Sequence, residues 1–589
     1  MKNNNYFFHS FREVYHNGKV FFWLYIIKTV LATIKVYISA WFSKRLFNEI
    51  LLGIELGQTT SILMGMVLTV ISIDVIYALT NLIIDYFSEK SALVYNNTFT
   101  VKNSQKCSRL KYQYHDDPNG KNEVRQFLND GRSVVNVYCQ SVNLLFTVVS
   151  FFVSLFIGLK FSVLVTIISL IAAFPSFFIR KKNKSADYEL EKDLNLTDRI
   201  IDYFKNVCTG KAFYKEIHTL GAVPLFFDKL TEFQQIRTKK RMALRKTKIL
   251  RELLLLFAYS VVNIIINVYI ILFIVIKKLT VGDYTYYTAI INNLKNSSDS
   301  LVTTVNDLCI ALQKAKNYFL FYNNLDNEYL PGTKPMPDQI DSIVFSNVSF
   351  KYPNTDNYVL ENISFEVSGD QKIALAGVNG AGKSTIINLL LRFYEPSQGE
   401  ILVNGCNVRY YNLEEYWAVF SCMFQQTNLY NMTLRENLLL GNNSKFNMVD
   451  NHALLSFLRA MGVNSVALDD LERQVSKQFT DDGLILSPGQ AQKINVARTL
   501  LTDNPVVVMD EPSSSMDALT EDIIMDRIFS FSRKKMIFFI SHRLSNLKKV
   551  DKIVFLEGGR LIESGSHDKL MELKGRYFEL YEKQAKKYN

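Results

Sequence analysis

Long apolar stretches are the feature that most limits what this 589-residue chain can fold into. A helix of roughly 20 apolar residues crosses the hydrocarbon core of a bilayer, and five stretches near or above that length follow one another in the first half of the chain. A sixth stretch is more polar but continues the series. The sequence therefore predicts an all-α membrane domain of six helices over residues 1–322. The predicted spans are 20–42, 60–87, 134–157, 161–179, 250–276 and 284–321.

Positive charge is concentrated on one side of the predicted membrane. Eighteen lysines and arginines lie between Arg180 and Arg251, whereas the three short loops on the other side hold five in total. Because basic residues near the ends of spans stay in the cytoplasm, segments 87–133 and 180–249 and both termini are predicted to be cytoplasmic. The net charge of +11 is then explained by anionic lipid headgroups and does not indicate nucleic acid. The Lys-, Asn- and Ile-rich, cysteine-poor composition favours the cytoplasmic membrane of a bacterium.

A second domain follows a proline-containing linker, predicted over residues 323–341. Strand-like runs begin near Ile343, so residues 342–589 are predicted to form a cytoplasmic α/β domain. The long cytoplasmic segments of the first domain are not rich in glycine, proline or serine, and they are predicted to be helical extensions of the spans. The six cysteines form no C-x-x-C pair, so no metal site is expected from them.

A glycine-rich loop lies inside the predicted α/β domain. Residues 372–376 predict a buried strand and 384–393 a helix, which is the context that a phosphate-binding loop requires. Glycines let backbone N–H groups approach phosphate oxygens, and the helix N-terminus favours anions. The lysine would neutralise the β- and γ-phosphates, and the serine hydroxyl would bind Mg²⁺. The loop residues are Gly377, Asn379, Gly380, Ala381, Gly382, Lys383, Ser384 and Thr385.

An acidic pair follows another predicted strand. Residues 506–509 form the continuous apolar run expected of a central parallel strand, and Asp510 and Glu511 come directly after it. The segment 486–490 precedes this strand, and His542 follows the next one. Together with the glycine-rich loop, this ordered set resembles the ATP-binding cassette of ABC transporters. The whole chain resembles an exporter-type half-transporter, in which a membrane domain is fused to such a cassette.

The resemblance implies a role for each polar residue around the phosphates, with ATP and Mg²⁺ as cofactors. Asp510, Ser384 and Gln425 would form the Mg²⁺ side of the site. Gln425 would also sense the state of the nucleotide. Glu511 would be the general base for the attacking water, and His542 would contact the γ-phosphate.

Further residues are assigned by the same resemblance. Tyr352 would stack on the adenine, although a buried structural tyrosine is the alternative. Ser487, Gly489 and Gln490 would contact the ATP held by a second subunit. Pro488 departs from the family, which usually has glycine there. Because proline lacks an N–H and fixes φ, we expect the composite site to form with somewhat altered geometry.

A composite site needs two subunits. A homodimer is the simplest assembly, and pairing with a paralogous half-transporter is the alternative, since altered signature segments occur in members that pair in that way. Export of a peptide, lipid or amphipathic small molecule by alternating access is the favoured function. The alternatives are import of a metal chelate on the same scaffold and an ATP-gated regulatory or channel-like protein. Residues 116–120 and 215–221 are similar to the family's coupling elements.

Charged residues inside the first two predicted spans suggest how the substrate is handled. Lys28 and Lys35 lie two helical turns apart on one face of the first span, and Asp74 in the second span falls at a depth between them. Charges at membrane depth are costly unless they are paired or hydrated. We therefore expect Asp74 to pair with one lysine and the other to attract an acidic substrate. In the alternative, Lys28 extends to the cytoplasmic interface and Lys35 only solvates the wall of a water-filled inward cavity.

Overall fold

The chain forms two compact units in a computed structural model. The first unit comprises Met1–Ser108 and Glu123–Asn324, and the second comprises Arg109–Asn122 and Leu325–Asn589. The structure describes residues 6–56, 61–277, 279–324, 328–329, 332–353, 355–426, 428–441, 448–514, 516, 518–532, 534–541 and 543–585.

The first unit consists of long helices. Within the described residues, four stretches are long and apolar enough to cross a membrane, in Lys19–Leu51, Val67–Ser108, Pro118–Phe161 and Val223–Lys277. The fourth and sixth predicted spans lie in α7, whose apolar stretch is shorter, and in α10, which is more polar. The helices are α1 (Tyr6–Asn17), α2 (Lys19–Leu56), α3 (Ser61–Ser108), α5 (Pro118–Asp130, which begins in the second unit), α6 (Ser133–Phe161), α7 (Val163–Thr209), α8 (Lys211–Thr219), α9 (Val223–Lys277) and α10 (Val281–Asn323).

Hydrogen bonds between polar side chains join the helices of the first unit. They specify helix contacts that apolar packing alone would leave undefined. The Tyr37 hydroxyl on α2 donates to the Ser150 carbonyl on α6 at 2.7 Å, and the Asn293 amide on α10 donates to Ser154 Oγ at 2.8 Å. Such bonds are typical of helix contacts in membranes, where lipid offers polar groups no alternative partner. Many leucine and isoleucine side chains of the apolar stretches are exposed, as expected of surfaces that face lipid.

The second unit contains two sheets. The larger has the strand order β10-β9-β3-β8-β7-β6, in which only the β9–β10 pair is antiparallel, and the smaller is an antiparallel sheet of order β2-β1-β4-β5. The strands are β1 (Ser342–Phe350), β2 (Leu360–Ser368), β3 (Lys372–Gly377), β4 (Gln398–Val403), β5 (Cys406–Asn407), β6 (Phe420–Met423), β7 (Val506–Asp510), β8 (Met536–Ile540), β9 (Lys552–Glu557) and β10 (Arg560–Gly565).

Helices cover the parallel sheet. Strands β7 and β8 are buried at every residue, which explains their unbroken runs of apolar side chains. The carboxyl ends of β3 and β7 meet at one edge of the sheet, where ligands of such folds bind. The helices of this unit are α4 (Gln113–Asp116), α11 (Lys383–Leu390), α12 (Leu413–Ala418), α13 (Leu434–Leu438), α14 (Asn451–Ala460), α15 (Pro488–Leu501), α16 (Ala518–Phe531), α17 (His567–Leu573) and α18 (Arg576–Ala585).

The segment Arg109–Asn122 packs within the second unit although it is distant from it in sequence. The Tyr112 ring stacks on Phe393 at a centroid distance of 5.2 Å, and the Tyr112 N–H donates to the Tyr329 hydroxyl at 3.0 Å. The Tyr394 hydroxyl donates to Asp116 Oδ2 at 2.7 Å. Burial and the neighbouring Asp116 carboxylate both raise the pKa of Tyr394, so it remains a hydrogen-bond donor at neutral pH.

Candidate active site

The glycine-rich loop joins β3 to α11, as the sequence predicts. Gly377 ends the strand with φ +148°, and a Cβ atom there would lie 2.1 Å from the Leu556 carbonyl oxygen. Gly382 stands before the helix with φ +96°, where a Cβ would lie 2.5 Å from Leu360 Cδ2. Both positions therefore require glycine, because a side chain would meet neighbouring strands and strain the backbone.

Lys383 is the first residue of α11 and is almost fully buried. Its ammonium group donates to the carbonyl oxygens of Gly377 and Val378, each at 3.0 Å, and so lies inside the loop. Burial lowers the pKa of Lys383, and the nearby carboxylates of Glu511 and Asp510 partly oppose this shift. These contacts hold a cation under the backbone N–H groups that would receive phosphate oxygens.

Asp510 is the last residue of β7 and lies opposite the start of α11. Its side chain is buried, and Oδ2 accepts a long hydrogen bond from the Ser384 hydroxyl at 3.4 Å. Burial, with a smaller contribution from the adjacent Glu511, raises the pKa of Asp510 to about 6. A hydroxyl and a carboxylate at this distance are oxygen donors of the kind that Mg²⁺ prefers, so the pair fits that ion.

Glu511 has an unusual backbone conformation, with φ +53°. Its N–H donates to the Ile540 carbonyl at 3.0 Å, and its carbonyl accepts from Gln492 Nε2 at 3.1 Å. Its carboxylate accepts a hydrogen bond from Gln425 Nε2 at 3.3 Å. Non-glycine residues in this conformation cluster at functional sites, where the surrounding structure fixes them. The two backbone bonds turn the Glu511 side chain toward Gln425.

These residues surround one cleft of about 360 Å³ in the second unit. The structure thus brings together the predicted phosphate-loop residues, the acidic pair and Gln425, although they come from three separate parts of the sequence. Lining residues are Val359, Asn379, Gly380, Ala381, Gly382, Lys383, Ser384, Thr385, Gln425, Asp510, Glu511 and Ile540.

Tyr352 lies beside this cleft and belongs to an aromatic cluster. Its hydroxyl is 3.1 Å from Thr385 Oγ1, and its ring makes edge contacts with Phe350 at 5.0 Å and Tyr394 at 5.2 Å. It also lines a neighbouring cavity of about 750 Å³ in the same unit. The ring is thus positioned within reach of the loop, and its stacking on adenine stays a prediction.

The structure of segment 486–490, the signature segment, shows why a proline fits at position 488. Ser487 caps α15: its hydroxyl accepts from the Gln490 N–H at 3.2 Å, and Gln490 Oε1 accepts from the Ser487 N–H at 2.8 Å. Pro488 occupies the first helical position, where a missing N–H breaks no intrahelical bond and the fixed φ suits the helix. In the described part of the chain, Ser487, Gly489 and Gln490 do not line the cleft of their own subunit. Their contact with a second subunit's ATP stays a prediction.

Two supporting residues were missed by the sequence analysis. Gln492 Nε2 donates to Ser514 Oγ at 3.0 Å as well as to the Glu511 carbonyl. Glu521 is buried, accepts a hydrogen bond from Asn546 Nδ2 at 2.6 Å and forms an ion pair with Arg543. Both are polar residues inside helices, and only their burial shows their function. His542, the predicted γ-phosphate contact, lies outside the described residues.

The membrane charges follow the expectation only in part. Lys35 Nζ lies 3.2 Å from Asp74 Oδ1, which agrees with the expectation that Asp74 pairs with one of the two lysines. The expectation that the other lysine is free was wrong, because Lys28 Nζ pairs with Asp85 Oδ1 at 2.5 Å. Asp85 lies 57 residues from Lys28 along the chain, and the antiparallel packing of α2 and α3 brings them together.

The comparisons with known proteins agree with this geometry. The ABC transporter family matches residues 360–514. The subtilin transport ATP-binding protein SpaT of Bacillus subtilis is 26% identical over 557 residues, which cover 93% of this chain and 88% of SpaT. An ATP-dependent lipid A-core flippase of Haemophilus ducreyi is 31% identical over 308 residues, about half of each chain.

Two further similarities extend the comparison. A β-(1→2)glucan export ATP-binding/permease protein, NdvA of Bartonella henselae, is 30% identical over 51% of this chain and 50% of its own. The chain thus spans about half the length of the flippase and of NdvA. The structure of a bacterial Atm1-family ABC exporter with ATP bound matches 95% of this chain and 98% of its own with a TM-score of 0.74 at 21% identity, which shows the fold. The chain is thus similar to ABC transporters, over residues 360–514 by the family match and over 93% of its length by the similarity to SpaT.

Proposed function

We propose that this chain exports an amphipathic peptide across the cytoplasmic membrane of a bacterium, as a homodimer that alternates between inward- and outward-open states. The observation that carries the proposal is the cleft where Lys383, Asp510 and Glu511 converge with the glycine-rich loop. A transporter that hydrolyses ATP needs this complete set, and a purely regulatory cassette does not. ATP is the energy source, and both termini lie in the cytoplasm.

The residues of the cleft divide the work on ATP. The loop N–H groups and the Lys383 ammonium hold the phosphate oxygens, and the oxygen donors of Ser384 and Asp510 would hold Mg²⁺. When bound, the ion neutralises charge that develops on the phosphates. Glu511 takes the proton of the attacking water, and the Gln425 amide at 3.3 Å orients its carboxylate.

The proposed dimer is supported by the position of segment 486–490. Ser487, Gly489 and Gln490 stand apart from the cleft of their own subunit, so they would complete the cleft of a second copy. The capping box of α15 holds the Ser487 oxygen as an acceptor and leaves its proton available for a phosphate oxygen. Since Glu511 is present, two identical sites suffice, and pairing with a paralogue is not required.

The peptide substrate is supported by two observations. The similarity to the subtilin transporter covers 93% of this chain, whereas the similarities to the lipid and glucan exporters cover about half. Within α10, Lys295 lies about 16 Å past Tyr284, where the predicted span begins, and thus near the middle of a hydrocarbon core of about 30 Å. It forms no ion pair among the described residues. Its Nζ lies 3.2 Å from Asn263 Oδ1 and 3.8 Å from the Tyr259 ring centroid. A carboxylate of the substrate would complete its coordination.

The direct test uses inside-out vesicles that contain the full-length chain and a labelled amphipathic peptide, with subtilin as the first probe. ATP-dependent accumulation inside the vesicles is expected for the wild type and is expected to be lost in Glu511→Gln. Efflux from right-side-out vesicles that contain ATP and peptide, with no ATP outside, serves as the directional control. Accumulation of a labelled lipid but of no peptide would show that the substrate is a lipid and not a peptide. ATP hydrolysis without any vectorial movement would contradict export itself.

A further inference from the structure

Helix α1 and its neighbours form a cleft of about 450 Å³ that is not part of the ATPase site. The cleft lies in the first unit between α1, α3 and α10. Its walls carry several groups that can hold positive charge and one carboxylate. Lining residues are His9, Arg12, Glu13, His16, Asn17, Lys102 and Phe319.

The three sides of α1 have different chemistry. Phe7, Phe11 and Val14 pack into the core of the first unit. Phe8 and Tyr15, seven residues apart and thus on one side, are 64% and 40% exposed. Exposed aromatic rings on a short helix before the first span are typical of a helix that lies in the membrane interface.

The cationic side of α1 lies directly beside these exposed rings. His9, Arg12 and His16 follow one another at intervals of three and four residues and therefore share one side of the helix. All three are exposed. An interfacial helix places its basic residues at this position so that they reach lipid headgroups while the rings enter the hydrocarbon edge.

Charge balance leaves one cation available in the cleft. Glu13 pairs with Lys102 across the cleft and also accepts from Asn17 Nδ2 at 3.0 Å. Among the described residues, Arg12 has no ion pair and no hydrogen bond to another side chain. Its planar guanidinium suits a phosphate group, to which it can donate two parallel hydrogen bonds.

The depth of the cleft agrees with a headgroup. Gly18, just before the first predicted span, lies against Tyr95 of α3, since a Cβ there would be 3.1 Å from Tyr95 Cδ2. Lys102 is seven residues further along α3, about 10 Å beyond that level on the side away from the span. Headgroups occupy the layer just outside the hydrocarbon core.

We infer that this cleft binds the phosphodiester headgroup of an anionic phospholipid, with Arg12 as the main contact and His9 and His16 as further donors. The site is independent of the transported substrate. Its assignment to the cytoplasmic leaflet rests on the orientation proposed above. The lipid would fix α1 against α3 and α10.

The test counts lipids on the full-length protein. Delipidated protein in detergent is titrated with phosphatidylglycerol or phosphatidylcholine, and bound lipid is counted by native mass spectrometry. Removing one interfacial cation weakens attraction to anionic lipid about five-fold, so Arg12→Gln is expected to lower the affinity of the first phosphatidylglycerol by that factor. Arg12→Lys is expected to lose less. Phosphatidylcholine, whose choline cancels the charge of its phosphate, is expected to bind the wild type more weakly and to lose less affinity in Arg12→Gln.

The matched control is Arg45→Gln. Arg45 is a cation near the other end of α2, where its guanidinium carbon lies 5.8 Å from the Trp41 ring centroid. This variant is expected to keep wild-type affinity for phosphatidylglycerol. Equal affinity in wild type and Arg12→Gln, or equal losses in both variants, would overturn the inference. So would full displacement of the lipid by millimolar inorganic phosphate, which would identify a soluble phosphate as the occupant. Wild-type ATPase activity in each variant verifies that the protein is folded.

Discussion

The two units of the molecule use charge in opposite ways. In the second unit, Lys383, Asp510 and Glu511 converge on one cleft, and burial shifts the pKa of Lys383 downward and that of Asp510 upward. In the first unit, Lys28 and Lys35 each take a carboxylate partner on α3. In the second unit, the charged residues of the cleft lie together at strand ends, where they can act on a ligand. In the membrane helices, these lysines are instead neutralised by carboxylates of the protein, and a lysine without such a partner is open to a substrate.

The sharpest test of this contrast is Glu511→Gln. Loss of a positioned base is expected to reduce ATP hydrolysis about 10²–10⁴-fold, while ATP binding is retained. Steady-state phosphate release and nucleotide binding by the purified full-length chain measure the two effects. Glu572→Gln, an exposed glutamate on α17, is the control and is expected to hydrolyse ATP normally. Near-normal turnover of Glu511→Gln would remove Glu511 from the role of base.

Lys383→Ala tests whether the gathered charges bind the phosphates. A hydrogen bond to a charged group contributes about 1.5–3 kcal/mol, so the affinity for ATP is expected to fall about 10- to 150-fold. Equilibrium binding of a fluorescent ATP analogue measures the loss. Lys534→Ala removes an exposed lysine of the same unit and is expected to have no effect. Unchanged affinity of Lys383→Ala would mean that the phosphates lie elsewhere.

Lys295→Met tests the membrane side of the comparison. If Lys295 attracts a carboxylate of the substrate, the peptide concentration that half-maximally stimulates the ATPase is expected to rise about ten-fold, with basal activity unchanged. Lys35→Met, whose lysine already has Asp74 as a partner, is the control and is expected to change stimulation much less. Equal effects of the two variants would show that pairing does not separate substrate-binding charges from structural ones.

Pro488→Gly is expected to have the smallest effect. Glycine keeps the helix start but gives the unfolded chain more freedom, so the free energy of unfolding is expected to fall by about 0.4–1 kcal/mol, or roughly 1–4 °C in Tm. ATPase activity is expected to stay at the wild-type level. Thermal unfolding followed by intrinsic fluorescence, with activity measured in parallel, checks both. A severe loss of activity would show that the proline does more than begin α15.

The parts of the site that the sequence predicted are those with local signals. The glycine-rich loop and the acidic pair stand directly at strand ends, so their neighbours in sequence are also their neighbours in space. Gln492 and Glu521 could not be found in this way, because they act from inside helices on backbone and side chains that the fold brings to them.

In the first unit, the sequence predicted only some of the ion pairs between membrane helices. Helical spacing and depth correctly predicted that Asp74 pairs with one of the two lysines, and the structure shows that this lysine is Lys35. The same counting missed Asp85, because the partner of Lys28 depends on the register between α2 and α3, which the sequence does not contain. For Pro488, the sequence predicted a composite site of somewhat altered geometry, which stays a prediction. The structure adds that this proline begins a capped helix, which became evident only once the helix boundary was known.

The packing of Arg109–Asn122 into the second unit has a consequence for dividing the molecule. A recombinant fragment of residues 325–589 would lack Tyr112 and Asp116, and would expose the Phe393 ring and the Tyr394 hydroxyl to water. Such a fragment is therefore expected to self-associate. A synthetic peptide of residues 109–122, added in trans, is expected to restore its solubility. A soluble fragment of the second unit must therefore combine residues 325–589 with residues 109–122, which lie in the first quarter of the chain.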